Sequence, residues 1–217
     1  MRTKAALQGD VVVVSPHLDD AALSLGAAIS RATRTGARVT VLTVLAGDPD
    51  SNEPAGEWDR SSGFATAGEA SRARRAEDAA ACERLGARPM WLPYGDDQYE
   101  RGGADDKIRA AVVEAAGTGL VLLPGFPLVH DDHRWVHDLL ADAFPGRAGF
   151  YAEQPYAAFD GRPPPGPWAR LCAGLGDQRR KLAACRAYAS QLGPLGKIVW
   201  PVLRYELRAG GETALLP

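Results

Sequence analysis

The sequence predicts an α/β domain, a Rossmann-like three-layer sandwich with a mostly parallel, doubly wound sheet and its active site at the C-terminal rim of the strands. Three observations predict it. Short β-branched runs alternate with segments of helical apolar period along most of the chain. The first run, Val11 to Val14, is continuously apolar, as a strand buried on both faces requires. Finally, 217 residues with 46% hydrophobic and 24% charged side chains suit one self-sufficient domain spanning 1–217.

After Val11 to Val14, Pro16 ends regular strand pairing. Leu25, Ala28, Ile29 and Ala32 recur at helical spacing, and Gly36 closes that helix. Val39 to Leu45 reads as the second strand, whereas residues 46–66, rich in Gly, Asp, Ser and Pro, have no clear period. An Ala-rich helix runs from about Glu69 to Leu85 and stops at Gly86. Pro89 to Leu92 is a third strand, Ile108, Val112 and Ala115 mark a helix, and Leu120 to Leu123 is a fourth strand. Val136, Leu139, Leu140 and Ala143 lie at i, i+3, i+4 and i+7, a helix again, and Ala148 to Ala152 is a fifth strand. Pro155, Pro163, Pro164, Pro165 and Pro167 exclude a central strand, so 153–170 is expected to form a Pro-rich surface loop or flap. A helix from about Asp177 to Ser190 follows, and Val202 to Leu207 is expected as a terminal edge strand.

Composition narrows the function. Twenty-five Lys and Arg against 27 Asp and Glu leave a net charge of −2, which argues against nucleic acid as a partner. No apolar run reaches the ~20 residues of a bilayer span, so no transmembrane segment is expected. Cys82, Cys172 and Cys185 lie far apart and imply no disulfide framework, so the cytoplasm is the default location. Ser15 and Ser24 lack a nucleophile-elbow context, and the first loop has no phosphate-binding Gly pattern. The oligomeric state is left open.

The histidines are unevenly placed. His17 follows the first strand and precedes Asp19 and Asp20, and His130, His133 and His137 cluster after the fourth. Both groups fall on strand-to-helix loops, where an open α/β sheet gathers its ligands. The spacing of His17 and Asp20 lets both converge on one point at the mouth of a helix. The plainer alternative makes Asp19 and Asp20 helix caps, and Asp132 the N-cap of a solvated loop. Taken together, His17, Asp20 and His133 make a two-His, one-carboxylate set that suits Zn²⁺ with an open position, or Fe²⁺. His137 is expected near the site or at the surface rather than as a fourth ligand. Arg74 and Asp96 are substrate-binding candidates, although Arg72, Arg74 and Arg75 also fit a solvated helix face. Glu77 is expected to pair with an Arg along its helix. Among Trp58, Trp91, Trp135, Trp168 and Trp200, some fit a sugar-stacking surface, with core packing the default for most.

Ser15-Pro16-His17-Leu18-Asp19-Asp20-Ala21 resembles the Pro-His-Pro-Asp-Asp-Glu signature of the PIG-L/LmbE-like family, zinc-dependent amide hydrolases of N-acetylated sugars. His130-Asp131-Asp132-His133 is similar to its His-x-Asp-His motif, and Arg74-Arg75-Ala76-Glu77 to its Arg-x-x-Glu helix. Tyr151 to Tyr156, and Lys181 through Tyr188, Ser190 and Gln191, resemble C-terminal segments of some bacterial members. The resemblance implies His17, Asp20 and His133 as zinc ligands and Asp19 as general base. It implies His130 as the group that stabilises the oxyanion or protonates the leaving amine, with Asp132 orienting an imidazole. Leu18 stands for a proline, Ala21 for a frequent Glu, and Leu128 for a Tyr found in some members. The expected activity is removal of an N-acetyl or N-acyl group from a small-molecule amino sugar or glycoconjugate. The alternatives are hydrolysis of another N-acylated natural product or thiol-precursor conjugate, and a catalytically silent sugar-binding module.

Overall fold

The computed structural model describes residues 4–191, 198–209 and 211–217. Its elements run β1 (Lys4–Ala5), β2 (Asp10–Ser15), α1 (Asp20–Arg34), β3 (Arg38–Thr43), α2 (Glu57–Ser61), α3 (Ala67–Leu85) and β4 (Arg88–Trp91). There follow α4 (Asp105–Ala116), β5 (Leu120–Phe126), α5 (Asp131–Leu140), β6 (Ala148–Ala152), α6 (Tyr156–Asp160) and β7 (Ala169–Leu171). The chain closes with α7 (Leu175–Cys185), a 3-10 turn (Ala189–Gln191), α8 (Val199–Ala209) and β8 (Thr213–Leu215). The strands form one eight-stranded sheet in the order β1-β7-β8-β6-β5-β2-β3-β4. Every pairing is parallel except those of β8, which runs antiparallel to β6 and β7.

The alternation of side chains in β2 explains the three layers. Val11 and Val13 pack on one face with Leu25, Ile29 and Ala184, while Val12 and Val14 pack on the other with Ile108, Val112 and Leu140. Each of these valines is at most 7% exposed and contributes about 1.5–2 kcal/mol by burial. That two-sided burial is why the run is continuously apolar.

The strand order also positions the site. From β2 the chain moves outward through β3 to β4, then crosses back to β5 on the other side of β2. The loops leaving β2 and β5 therefore flank a topological switch point, where open α/β sheets bind ligands.

Three expectations are corrected. Residues 202–207 lie in α8, not in a strand: Val202 and Glu206, one helical turn apart, are both buried, and the C-terminal strand is β8, which lies between β7 and β6 rather than at an edge. The helix expected from Asp177 starts at Leu175 because the Asp177 carboxylate accepts the Gly174 N–H at 2.8 Å, and it ends at Cys185 before the separate turn at Ala189–Gln191. Residues 46–66 contain α2, and 153–170 contains α6 and the start of β7, with Trp168 buried against Phe126 between them. In α3 the Thr66 hydroxyl accepts the Glu69 N–H, so that helix begins at Ala67, and Gly86 takes the left-handed C-cap conformation.

Candidate functional site

The turn between β2 and α1 is built by Ser15 and Asp20. Ser15 Oγ donates to the His17 carbonyl at 2.6 Å and accepts the Ala21 N–H at 3.1 Å. Asp20 Oδ2 accepts the His17 N–H at 2.8 Å. The helix-cap alternative for Asp19 does not hold, because its side chain makes no cap hydrogen bond to α1. On the neighbouring loop the N-cap of α5 is His130, not Asp132, and its Nδ1 accepts the Asp132 N–H at 3.2 Å. That bond leaves the His130 proton on Nε2 when the ring is neutral.

These turns bring His17, Asp20 and His133 together although 116 positions separate the two imidazoles. His17 Nδ1 lies 3.2 Å from His133 Nε2 and 3.4 Å from Asp20 Oδ2, and His133 Nε2 lies 3.2 Å from the same oxygen. Ligands held about 2.05 Å from a tetrahedral ion stand about 3.3 Å apart, so this donor set fits a Zn²⁺-sized cation. His130 also lies close, with donor atoms of His17, His130 and His133 all within 4.8 Å of one another. The tighter spacing favours the set containing Asp20.

Each imidazole is backed by a carboxylate on its other nitrogen. Asp132 Oδ2 lies 2.9 Å from His17 Nε2, and Glu153 Oε2 lies 2.8 Å from His133 Nδ1. Such partners fix the tautomer and turn the remaining nitrogen toward a metal. Asp132 is fully buried, pairs with Arg101, and also accepts the Asp97 N–H at 3.1 Å. Arg101 in turn stacks over Trp135 at 4.4 Å. Sequence reasoning missed Glu153 and Arg101 as parts of this site. The signal for Glu153 was its place directly after β6, on the same rim as the two motifs.

The charges follow from burial and these pairs. Burial alone would lower both imidazoles, but Asp132 and Asp20 hold His17 well above its ordinary value, and Asp20 and Glu153 hold His133 up at about 9. Asp20 and Asp132 lie well below the usual carboxylate range because their cationic neighbours outweigh burial. Asp19 behaves oppositely: loss of water contact and the adjacent Asp20 charge push it up to about 8. Burial lowers His130, helped by the two other imidazoles.

A cleft of about 680 Å³ opens onto this cluster, lined among others by His17, Asp19, Asp20, Arg74, Asp96 and His130. Arg74 is not on a solvated face. Its guanidinium is 2.5 Å from Asp59, whose other oxygen accepts the Tyr99 hydroxyl at 2.6 Å. Arg72 and Arg75 instead hold the carbonyls of Pro49 and Gly47. Asp96 lines the rim while its carboxylate accepts both the backbone and side-chain N–H of Gln98. Glu77 pairs with Ser190, not with an Arg of its helix, accepting its N–H and hydroxyl at 2.7 Å. His137 Nδ1 donates to the Pro124 carbonyl at 2.7 Å and does not join the cluster. Tyr156 also lines the cleft, its ring edge-on to His133 at 5.3 Å.

The family profile of PIG-L, described as GlcNAc-PI de-N-acetylase, matches residues 12–144, a span that contains both motifs. The chain belongs to the PIG-L family. Solved structures similar to this PIG-L chain include the A40926 pseudoaglycone deacetylase, 26% identical over 95% of this chain and 96% of that one, with a TM-score of 0.81. The zinc-inhibited form of teicoplanin deacetylase is 24% identical over 95% and 97% of the two chains, with a TM-score of 0.79. The N,N′-diacetylchitobiose deacetylase of Pyrococcus horikoshii is 17% identical over 95% and 82%, with a TM-score of 0.63. No curated protein sequence matches this PIG-L chain. Among its described residues no helix is long and apolar enough to cross a membrane.

Proposed function

We propose that this PIG-L chain is a divalent-metal-dependent N-deacetylase that hydrolyses the N-acyl group of an amino sugar or glycoconjugate. The observation that carries this reading is the donor triangle of His17, Asp20 and His133, with edges of 3.2–3.4 Å, opening into a cleft walled by Asp19 and His130. Similarity to a deacetylase of the A40926 pseudoaglycone supports the substrate class. His17, Asp20 and His133 would hold Zn²⁺, and the same set suits Fe²⁺. When bound, the ion supplies Lewis acidity, polarising the acyl carbonyl and acidifying water.

The chain's own residues do the rest. Asp19 takes the proton of the attacking water, a task for which a carboxylate in the cleft wall beside His17 and Asp20 is placed. His130, with Nδ1 occupied by the Asp132 N–H, presents Nε2–H to the cleft, where it stabilises charge developing on the acyl oxygen, and the departing amine takes the proton that Asp19 has removed from water. Asp132 and Glu153 hold the two ligand imidazoles, and Arg74 and Asp96 bind hydroxyl groups of the sugar.

The test is release of acetate and a free amine from N-acetylglucosamine conjugates by purified protein loaded with zinc or iron. Stoichiometric release supports the reading. Loaded protein that hydrolyses no N-acyl sugar overturns it.

A further inference from the structure

The cleft is larger than the reaction needs. An N-acetylhexosamine occupies about 200–250 Å³ at the density of packed organic matter, roughly a third of the 680 Å³ available. Part of the lining, including Glu57, Trp58, Gln98 and Gln191, takes no part in the donor cluster, and its largest side chain is Trp58.

Trp58 alone among the described tryptophan side chains is exposed, at 43%. Its setting is fixed rather than loose. The N–H groups of Trp58 and Asp59 donate to Gln98 Oε1 at 2.9 and 3.3 Å, and Gly56 N–H donates to the Tyr99 hydroxyl at 2.7 Å. The indole Nε1–H donates to Gln191 Oε1 at 3.0 Å. The one polar group of the ring is thereby committed to the protein, and Gln98 and Gln191 are committed to holding it. What remains for a ligand is the flat apolar face of a rigidly mounted indole. An exposed aromatic so constrained at the rim of a cleft is a recognition feature rather than core packing.

We propose that this end of the cleft is an outer subsite for the flat, apolar face of a ring attached to the reacting N-acetyl sugar, with Trp58 as its stacking platform. The ring is a second pyranose or an aryl group, two sources of the same chemistry. The substrate is thus a glycoconjugate rather than a free monosaccharide, a specification that rests on the deacetylase reading of the inner site.

Binding of deacetylated, product-like ligands tests the subsite without turnover. Calorimetry on the zinc-loaded protein compares glucosamine with its β-1,4 dimer and with phenyl glucosaminide. Wild-type protein is expected to bind at least one extended ligand about tenfold more tightly than glucosamine, the dimer arm reporting a sugar and the phenyl arm an aryl ring. Trp58→Ala should erase that preference and leave glucosamine binding unchanged, and Trp58→Phe should keep most of it. Trp58→Leu fills the volume without a flat ring and should behave as Trp58→Ala, which covers the case in which the alanine variant fails to fold. In turnover, Trp58→Ala should raise KM for extended N-acetyl substrates with kcat unchanged. A wild-type protein with no preference for either extended ligand, or a preference that survives both Trp58→Ala and Trp58→Leu, overturns the subsite. Loss of acetate release in the wild type would overturn the deacetylase reading instead, and the binding comparison would still decide on Trp58.

Discussion

Glu153→Gln isolates the residue that the motifs did not reveal. Glu153 is 1% exposed and its Oε2 sits 2.8 Å from His133 Nδ1, so the substitution keeps shape and removes one buried charge. The amide oxygen can still accept the His133 N–H, leaving the ligand tautomer in place. A cation at His133 Nε2 would lie about 6–7 Å from that oxygen across the ring, given a metal–nitrogen distance of about 2 Å. At an effective dielectric near 20, each unit of charge over that distance is worth about 2.5 kcal/mol. The relevant change is about one unit, since a dication replaces a protonated imidazole held up at about 9. The expected loss of zinc affinity is therefore about 10–100-fold, the range found for carboxylates that back metal-bound histidines. Competition titration with a chromophoric chelator at pH 7.5 measures it, with the thermal midpoint of the metal-free variant as the control for folding. Unchanged affinity in a folded variant would refute the assignment of Glu153 as the group that sets His133.

Asp19→Asn should lower kcat by about 10²–10⁴ while one equivalent of metal is retained by elemental analysis. Undiminished turnover would remove Asp19 from the reaction. Dialysis against a chelator should abolish acetate release, zinc or iron should restore it, and zinc at a hundred times its Kd should add about 2.7 kcal/mol to the unfolding free energy in denaturant titration. Lys181→Met should cost about 3–5 kcal/mol in urea unfolding, because Lys181 is buried between Glu206 at 2.5 Å and Glu212 at 2.7 Å. Burial and Glu212 already push Glu206 up to about 7, so its folded form keeps a proton that the unfolded form releases near 4.5. Its contribution to stability is thus present below pH 4.5 and lost as pH rises through 7. Without the lysine the Glu206 carboxyl shifts further up, so the deficit of Lys181→Met should be larger at pH 8 than at pH 5. An equal or reversed deficit would contradict the buried-charge account.

How much of this was legible in the sequence depended on how each residue announces itself. His17 with Asp20, and Asp132 with His133, sit in short mixed clusters of ligand types, and the switch-point rule for open sheets brings the loops after β2 and β5 together. Val11 to Val14 gave its strand because burial on both faces leaves no polar alternation to confuse it. Glu153 carries no such pattern, being one carboxylate after β6 whose meaning appears only once β6 pairs with β5. The Arg74–Asp59 pair was hidden for a related reason, since Asp59 lies in a stretch with no period and its short helix is held by Gln98 and Tyr99 from another loop. The terminal misreading has a simpler cause. Val202, Tyr205 and Leu207 suit a strand by residue type, but Val202 and Glu206 are buried one helical turn apart, and Glu206 meets Lys181 of α7. A buried glutamate breaks the apolar period by which a helix is recognised.

The site divides along the sheet. The half proposed to hold the metal comes from the ends of β2, β5 and β6, which supply His17 with Asp20, Asp132 with His133, and Glu153. The cleft half comes from segments that follow β3 and β4, which supply Trp58, Arg74 and Asp96. Asp132 joins them. One of its oxygens receives both His17 and the Asp97 N–H, and the other receives Arg101, so the loop after β4 is fastened to the carboxylate that orients the His17 imidazole. The first half is built on strand ends locked by backbone pairing, so it can hold donor atoms to a few tenths of an ångström. The second is loop, tied by a handful of side-chain bonds such as Gln98 to α2 and Gln191 to Trp58. A change in residues 46–66 or 93–104 can therefore reshape what the cleft accepts while the donor triangle stays in place, provided that Arg101 and the Asp97 backbone keep their hold on Asp132. On this division, chemistry is set by the sheet and substrate choice by the loops, and Asp132 is where a change in one half would first be felt in the other.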